Sequence, residues 1–255
     1  MKTPYLSTLK NSHNIWFAGQ SNCGGFNHPA PPDPATYPPS KGQYIFEPVS
    51  QTWQRLQRNK NNSGSPTEFV GFFGSELKLM QLLTDYYGAD QYMMKYAIGG
   101  TSLSENTADK YNWSPSSPDP FCYKDFIRSY FNAMDNFPTI KLFPKVLIWW
   151  QGEDDTSMED ADAYAANFNN FIYSVKNECG LHNLKVIQIG LSNNQIAYSI
   201  IGRNTVNAAK MDYAINGNKF VNTDGAEVQP NGVHFSTVGY EDIATRIFNI
   251  LITML

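Results

Sequence analysis

Five short apolar runs, at residues 15–18, 92–98, 146–150, 186–191 and 220–221, alternate with longer segments of helical periodicity. The longer segments cover 68–87, 121–137, 157–179, 197–216 and 238–254. In the third, Tyr164, Phe168, Phe171, Ile172 and Val175 form one apolar stripe, and Ser157 to Asp160 has the pattern of a capping box. In the last, Ile243, Ile247, Ile250 and Met254 repeat the stripe. Short apolar strands alternating with amphipathic helices predict parallel strands joined by right-handed crossovers. The expectation is an α/β fold, a three-layer α/β/α sandwich with about five strands, forming one domain over residues 1–255. Two polar stretches interrupt it, at 29–66 and 104–120. Long insertions in a compact domain commonly serve as binding loops or lids.

Composition narrows the function classes. The net charge is −4 and only 16% of the 255 residues are charged, with no basic run, which argues against nucleic acid as a partner. No apolar stretch approaches the roughly 20 residues needed to span a bilayer, and the first residues lack the apolar core of a signal peptide. The compartment stays open, because a leader can be removed before a chain is defined. Cys23, Cys122 and Cys179 fit neither a disulfide framework nor a metal-ligand spacing.

In an open parallel sheet the ligand crevice lies beyond the carboxyl ends of the strands. Four polar clusters fall there: Gly19-Gln20-Ser21-Asn22, Gly99-Gly100-Thr101-Ser102, Gln151-Gly152-Glu153-Asp154-Asp155, and the segment from Asn222 to Tyr240 that contains His234. Acyl transfer needs a nucleophile, a base, a group that orients the base and donors for the oxyanion. Ser21 can supply the first and His234 the second. Backbone amides at Ser21 and at Gly99 or Gly100 can face an oxyanion, with the Gln151 side chain as a third donor. Each cluster alone is commonplace: a strand-end turn, a glycine loop, a solvated acidic helix start. Their joint order is what carries the reading. His13, His28 and His182 have no companions and read as structural or exposed.

The stretches "FAGQSN", "GGTS", "WWQGEDD" and "NGVHFSTVGY" resemble the SGNH, or GDSL-like, hydrolase superfamily. Within it they are similar to the sialate O-acetylesterase and acetylxylan esterase group, close to carbohydrate esterase family six. The resemblance spans residues 15–240. It implies a serine esterase that removes acetyl groups from sugars without metal or cofactor, with an acetylated carbohydrate as its partner. It makes Ser21 the nucleophile, His234 the base, and Gly99 or Gly100 together with Gln151 the oxyanion donors. One position departs from the pattern. Three residues before His234, where the family has aspartate, stands Asn231. A neutral amide cannot balance an imidazolium, so either activity is reduced or another carboxylate serves. Glu153 is the favoured candidate and Asp224 the other. Trp113, in the second insertion, is the candidate sugar-stacking platform, with a local loop anchor as the equal alternative. Two further functions stay open: an impaired glycan-binding domain that keeps the esterase fold, and an esterase of other acyl specificity. The sequence leaves the oligomeric state and the natural sugar open.

Overall fold

In the computed structural model, residues 11–25, 37, 42–66, 72–104 and 111–255 are described. A seven-stranded sheet forms the middle layer. Its strands are β1 (Asn14–Gly19), β2 (Gln43–Glu47), β3 (Thr52–Arg55), β4 (Gln91–Ala97), β5 (Val146–Trp150), β6 (Lys185–Ile189) and β7 (Lys219–Val221), in the order β3-β2-β4-β1-β5-β6-β7. All pairings are parallel except β2 with β3. The five expected strands are present, and β2 and β3 are added. Both lie inside the first polar insertion, where "QYIFE" and "TWQR" are too short and too polar to stand out. β3 can close the edge because a tight turn allows an antiparallel return.

The helices are α1 (Ser21–Gly24), α2 (Ser75–Tyr87), α3 (Phe121–Asp135), α4 (Met158–Glu178), α5 (Ile200–Tyr213) and α6 (Thr237–Leu251), with a short 3-10 turn at Glu153–Asp155. Strand side chains alternate between two cores. Trp16, Ala18, Leu147, Trp149 and Val186 pack with α3 and α4 residues such as Phe126, Phe168 and Phe171. Ile15, Phe17, Ile148, Trp150 and Ile187 pack with α2 and α6 residues such as Met80, Leu83, Ile243 and Ile247. Burial on both faces is why these strands read as continuous apolar runs. Helix α4 starts as expected, the Ser157 hydroxyl accepting from Asp160 N at 3.2 Å.

Register brings the site together. Gly19 lies opposite both Ala97 and Trp150, so three strands end level. Gln20 N donates to Trp150 O at 3.0 Å and Ile98 N to Gly19 O at 3.2 Å, which continues the ladder for one residue before the chain turns into α1. At Gly19, with φ +154°, an added Cβ would lie 1.8 Å from Trp150 O, so this approach requires glycine.

A fully buried ion pair braces the far end of α1. Lys95 Nζ lies 2.8 Å from Glu76 Oε2 and also donates to Asn62 O at 2.8 Å and Gly24 O at 3.4 Å. Glu76 Oε1 accepts from Asn62 Nδ2 and Gly74 N. Removing one partner of such a pair strands a buried charge and costs about 3–5 kcal/mol. Lys95→Met should therefore lower the urea unfolding free energy by about that much, and Lys95→Met with Glu76→Gln should recover part of it. An equal loss in the single and double variants would contradict the pairing.

Candidate active site

Ser21 opens α1 and is nearly buried. Its neighbour Asn22, to which the sequence assigned no role, makes the decisive contacts. Asn22 Nδ2 donates to Glu153 Oε1 at 2.7 Å and to Val233 O at 3.2 Å. Asn22 Oδ1 accepts from Phe235 N at 3.2 Å and from the Tyr240 hydroxyl at 3.0 Å. Both hydrogens and both lone pairs are used. Because Val233 and Phe235 flank His234, this one carboxamide fixes the turn carrying Ser21 against the loop carrying His234.

That loop is folded back on itself. Val228 bridges Phe235, and Gln229 N donates to His234 O at 2.7 Å. Asn231 stands at the exposed tip. Its Oδ1 accepts from Val233 N at 2.9 Å and His234 N at 3.1 Å, and its Nδ2 faces His234 Nδ1 at 3.2 Å. The two backbone amides decide which way the side chain points, since the reverse would set an NH2 group against two N–H donors. Nδ2 therefore donates to Nδ1, and the neutral ring carries its proton on Nε2. The Asn231 oxygen, with Val233 N and His234 N already on it, is not free to accept a ring N–H. Burial lowers the His234 pKa to about 4, so the ring is neutral at pH 7.

Glu153 was expected to orient His234, and the structure sends it elsewhere. It is fully buried and holds Asn22, which acts in turn on the backbone beside the histidine. Burial, the leading influence, raises its pKa, while Lys210 and the Asn22 hydrogen bond pull it down. The alternative, Asp224, is taken by Asn193, accepting from its N at 2.8 Å and its Nδ2 at 3.0 Å.

Gln151 also departs from expectation. Its Nε2 donates to Thr101 O at 2.9 Å and to Asp155 Oδ2 at 2.5 Å, and the side chain is fully buried. Both hydrogens are used, so Gln151 has none for an oxyanion in this conformation. Turning the amide over would set its oxygen against a carbonyl and a carboxylate. It acts as a tie between the β5 end and the Gly99–Thr101 loop. Among the described residues, the amides of Ser21, Gly99 and Gly100 donate to no acceptor, so the backbone part of the expected oxyanion hole remains available. Gly100 is exposed, with φ +67°.

Trp113 is not a sugar platform. It is fully buried, its indole N–H donates to Thr101 Oγ1 at 2.8 Å, and Tyr96, Phe126, Trp149 and Phe171 surround the ring. It anchors the second insertion beneath the glycine loop. Gln20 and Asp154, joined at 2.5 Å, and Tyr198 are residues near the site that the sequence did not single out. Burial, then the charges of Glu153 and Asp154, raise the Tyr198 hydroxyl pKa. Among the described residues no cluster of histidine, cysteine, aspartate and glutamate could hold a metal ion.

The sequence model for the carbohydrate esterase family described as sialic acid-specific acetylesterase matches residues 12–253. The chain belongs to that family. Among solved structures, a protein from Arabidopsis thaliana is 16% identical, with a TM-score of 0.77, 95% of this chain and 99% of the other being covered. NanS is 15% identical, with a TM-score of 0.75 over 95% and 97% of the two chains. A carbohydrate acetylesterase from Xanthomonas citri is 14% identical, with a TM-score of 0.66, and this chain spans 56% of it. At such identities the likeness shows the fold alone. No curated protein sequence matches the chain.

The acids of this family member predict a pH effect. Burial first of all raises the Asp155 pKa to about 7, above that of an unfolded aspartate. Between roughly pH 4 and 7 the native state then binds the extra proton, so stability falls as pH rises through this window. Urea unfolding should show that slope, and Asp155→Asn should flatten it. An unchanged slope in the variant would contradict the assignment.

Proposed function

We propose that this chain is a serine carbohydrate O-acetylesterase working through an acyl-enzyme, with its base held in an unfavourable tautomer. Family membership supports an acetylated sugar as substrate, and the family's description points to acetylated sialic acid. The observation that carries the residue assignment is the Asn22 carboxamide, which bonds both backbone neighbours of His234 while adjoining Ser21.

In the first step the Ser21 hydroxyl attacks the acetyl carbonyl and its proton passes to His234 Nε2. The negative charge on the carbonyl oxygen is met by the amides of Ser21 and Gly99 or Gly100. Collapse expels the sugar alkoxide, which takes the proton from His234. Water then repeats the sequence on the acetyl-serine and releases acetate. Accepting the serine proton requires a lone pair on Nε2, and thus the ring proton on Nδ1. Asn231 favours the opposite arrangement. In a serine-protease triad, aspartate to asparagine costs about 10⁴ in kcat through this wrong tautomer. The chain is therefore read as a slow esterase. The glycan-binding reading draws on the same contact, and one variant separates the two.

Ser21→Ala should remove at least about 10³–10⁴ of whatever kcat the wild type shows on an aryl acetate, with the fold intact. Retention of wild-type turnover would refute Ser21 as nucleophile. Asn231→Asp should raise kcat by about 10²–10⁴, since an aspartate oxygen accepts from Nδ1–H and stabilises the imidazolium. With the His234 pKa lowered to about 4, the acidic limb of kcat/KM should fall near that pH in the wild type and should move toward the ordinary histidine value near 6.5 in the variant, because an adjacent anion favours the charged ring. If neither protein hydrolyses any acetyl ester, the binding-domain reading stands instead.

A further inference from the structure

Asn231 is followed by Gly232, at the exposed tip of the loop that carries His234. In an asparagine–glycine pair the side-chain carboxamide and the next backbone nitrogen close a five-membered ring most readily, because glycine puts no Cβ in the way. The loop favours that closure in two respects. Asn231 Oδ1 accepts from Val233 N, two residues on, which folds the carboxamide back over the peptide that joins Asn231 to Gly232. With His234 N as the second donor, two backbone amides sit on the oxygen that becomes negative when Cγ is attacked. Gly232 N itself donates to Gln229 O at 2.9 Å. That bond must open before the nitrogen can attack, so the reaction passes through local opening of the tip and is slow beside turnover.

We propose that Asn231 is a self-modifying site, whose slow deamidation converts the protein from a poor esterase into a competent one. The Gly232 nitrogen loses its proton to solvent base and bonds to Asn231 Cγ. The bond from Cγ to Nδ2 breaks and ammonia leaves, giving a succinimide. Water then opens the ring. Addition at Cγ restores the ordinary backbone with aspartate at position 231. Addition at the other carbonyl gives isoaspartate, with the chain rerouted through the side chain. The sum is carboxamide plus water to carboxylate plus ammonium, with no oxidant, reductant or metal.

The aspartate product keeps one oxygen on Val233 N and His234 N and sets the other where Nδ2 faced His234 Nδ1. The ring proton then rests on Nδ1, which frees Nε2 for the Ser21 proton. The isoaspartate product adds a backbone carbon just before this turn and loses the alignment. The modification is independent of ester hydrolysis; its consequence rests on the serine-esterase reading.

The experiment ages the freshly purified whole protein in mildly alkaline buffer. At intervals, peptide mass spectrometry resolves amide, aspartate and isoaspartate at position 231, and aryl acetate hydrolysis is measured on the same sample. Peptides are needed because Asn216 and Gly217 form the same pair. Aspartate should accumulate at position 231, and kcat per total protein should rise in proportion to it. With a gain of about 10² or more per converted molecule, conversion of about one part in a hundred doubles the activity. Asn231→Gln, which would have to close a six-membered ring, should show neither change. Ser21→Ala should convert like the wild type and gain no activity. A peptide that keeps its amide at position 231 would overturn the proposal, as would a rise in activity that Asn231→Gln shares. Asn231→Asp separates the modification from its consequence. If that variant is active and the aged protein gains nothing as aspartate accumulates, the activation is refuted. If that variant hydrolyses no acetyl ester, the esterase reading fails, and the modification stands or falls on the mass at position 231.

Discussion

The arrangement of the site depends on one buried carboxamide. Asn22 carries four hydrogen bonds that join the first strand's turn to the Glu153 turn and the His234 loop, each more than a hundred residues from it in sequence. No neighbouring group could replace it piecemeal. A carboxylate would repel Glu153 and could not donate to Val233 O, and an apolar side chain would leave donors and acceptors unpaired in a dry interior. The sheet makes this possible by ending β1, β4 and β5 level, and Gly19 lets the turn pass against Trp150 without a Cβ in the way.

Beneath that clamp the polar residues of the β5 end form a buried support. Lys210 Nζ donates to Gln151 O and Ile189 O, which ties β5 to β6, and burial lowers its pKa to about 8 against the opposing pull of Glu153. Asp155 accepts from Leu103 N and Gln151 Nε2, and so fixes the loop after β4. Burying so many ionisable groups costs stability that a core of apolar residues would not. What it brings is rigidity at the strand ends, where the backbone amides of Ser21, Gly99 and Gly100 must be aimed without reorganisation if they are to meet a developing charge.

Much of this was legible in the sequence, and the exceptions share a cause. Periodicity located the buried parallel strands and the helices, because two-sided burial and amphipathic faces leave strong patterns. It missed β2 and β3, whose half-exposed, polar residues look like loop. The order of the motifs placed Ser21 and His234 at one edge. It could not say where the polar side chains between them point. Gln151 and Glu153 were read as facing substrate or histidine, yet both turn inward to Thr101, Asp155 and Asn22. Trp113 sits in a polar, proline-rich stretch that suggested a surface loop, but tertiary packing draws its ring into the core. A polar residue at a strand end has several partners within reach, and register and neighbouring loops decide among them. Asn231 is the instructive case: its departure from aspartate was visible, and the sense of its hydrogen bond to His234 was not, because Val233 N and His234 N determine it.

This asparagine donates to His234 and so holds the ring in the Nε2–H form. Nitrogen-15 NMR of the imidazole at pH 7 reports the tautomer directly, through the distinct shifts of protonated and unprotonated ring nitrogens. The wild type should show an unprotonated Nδ1 and a protonated Nε2. A wild-type ring with its proton on Nδ1 would contradict it.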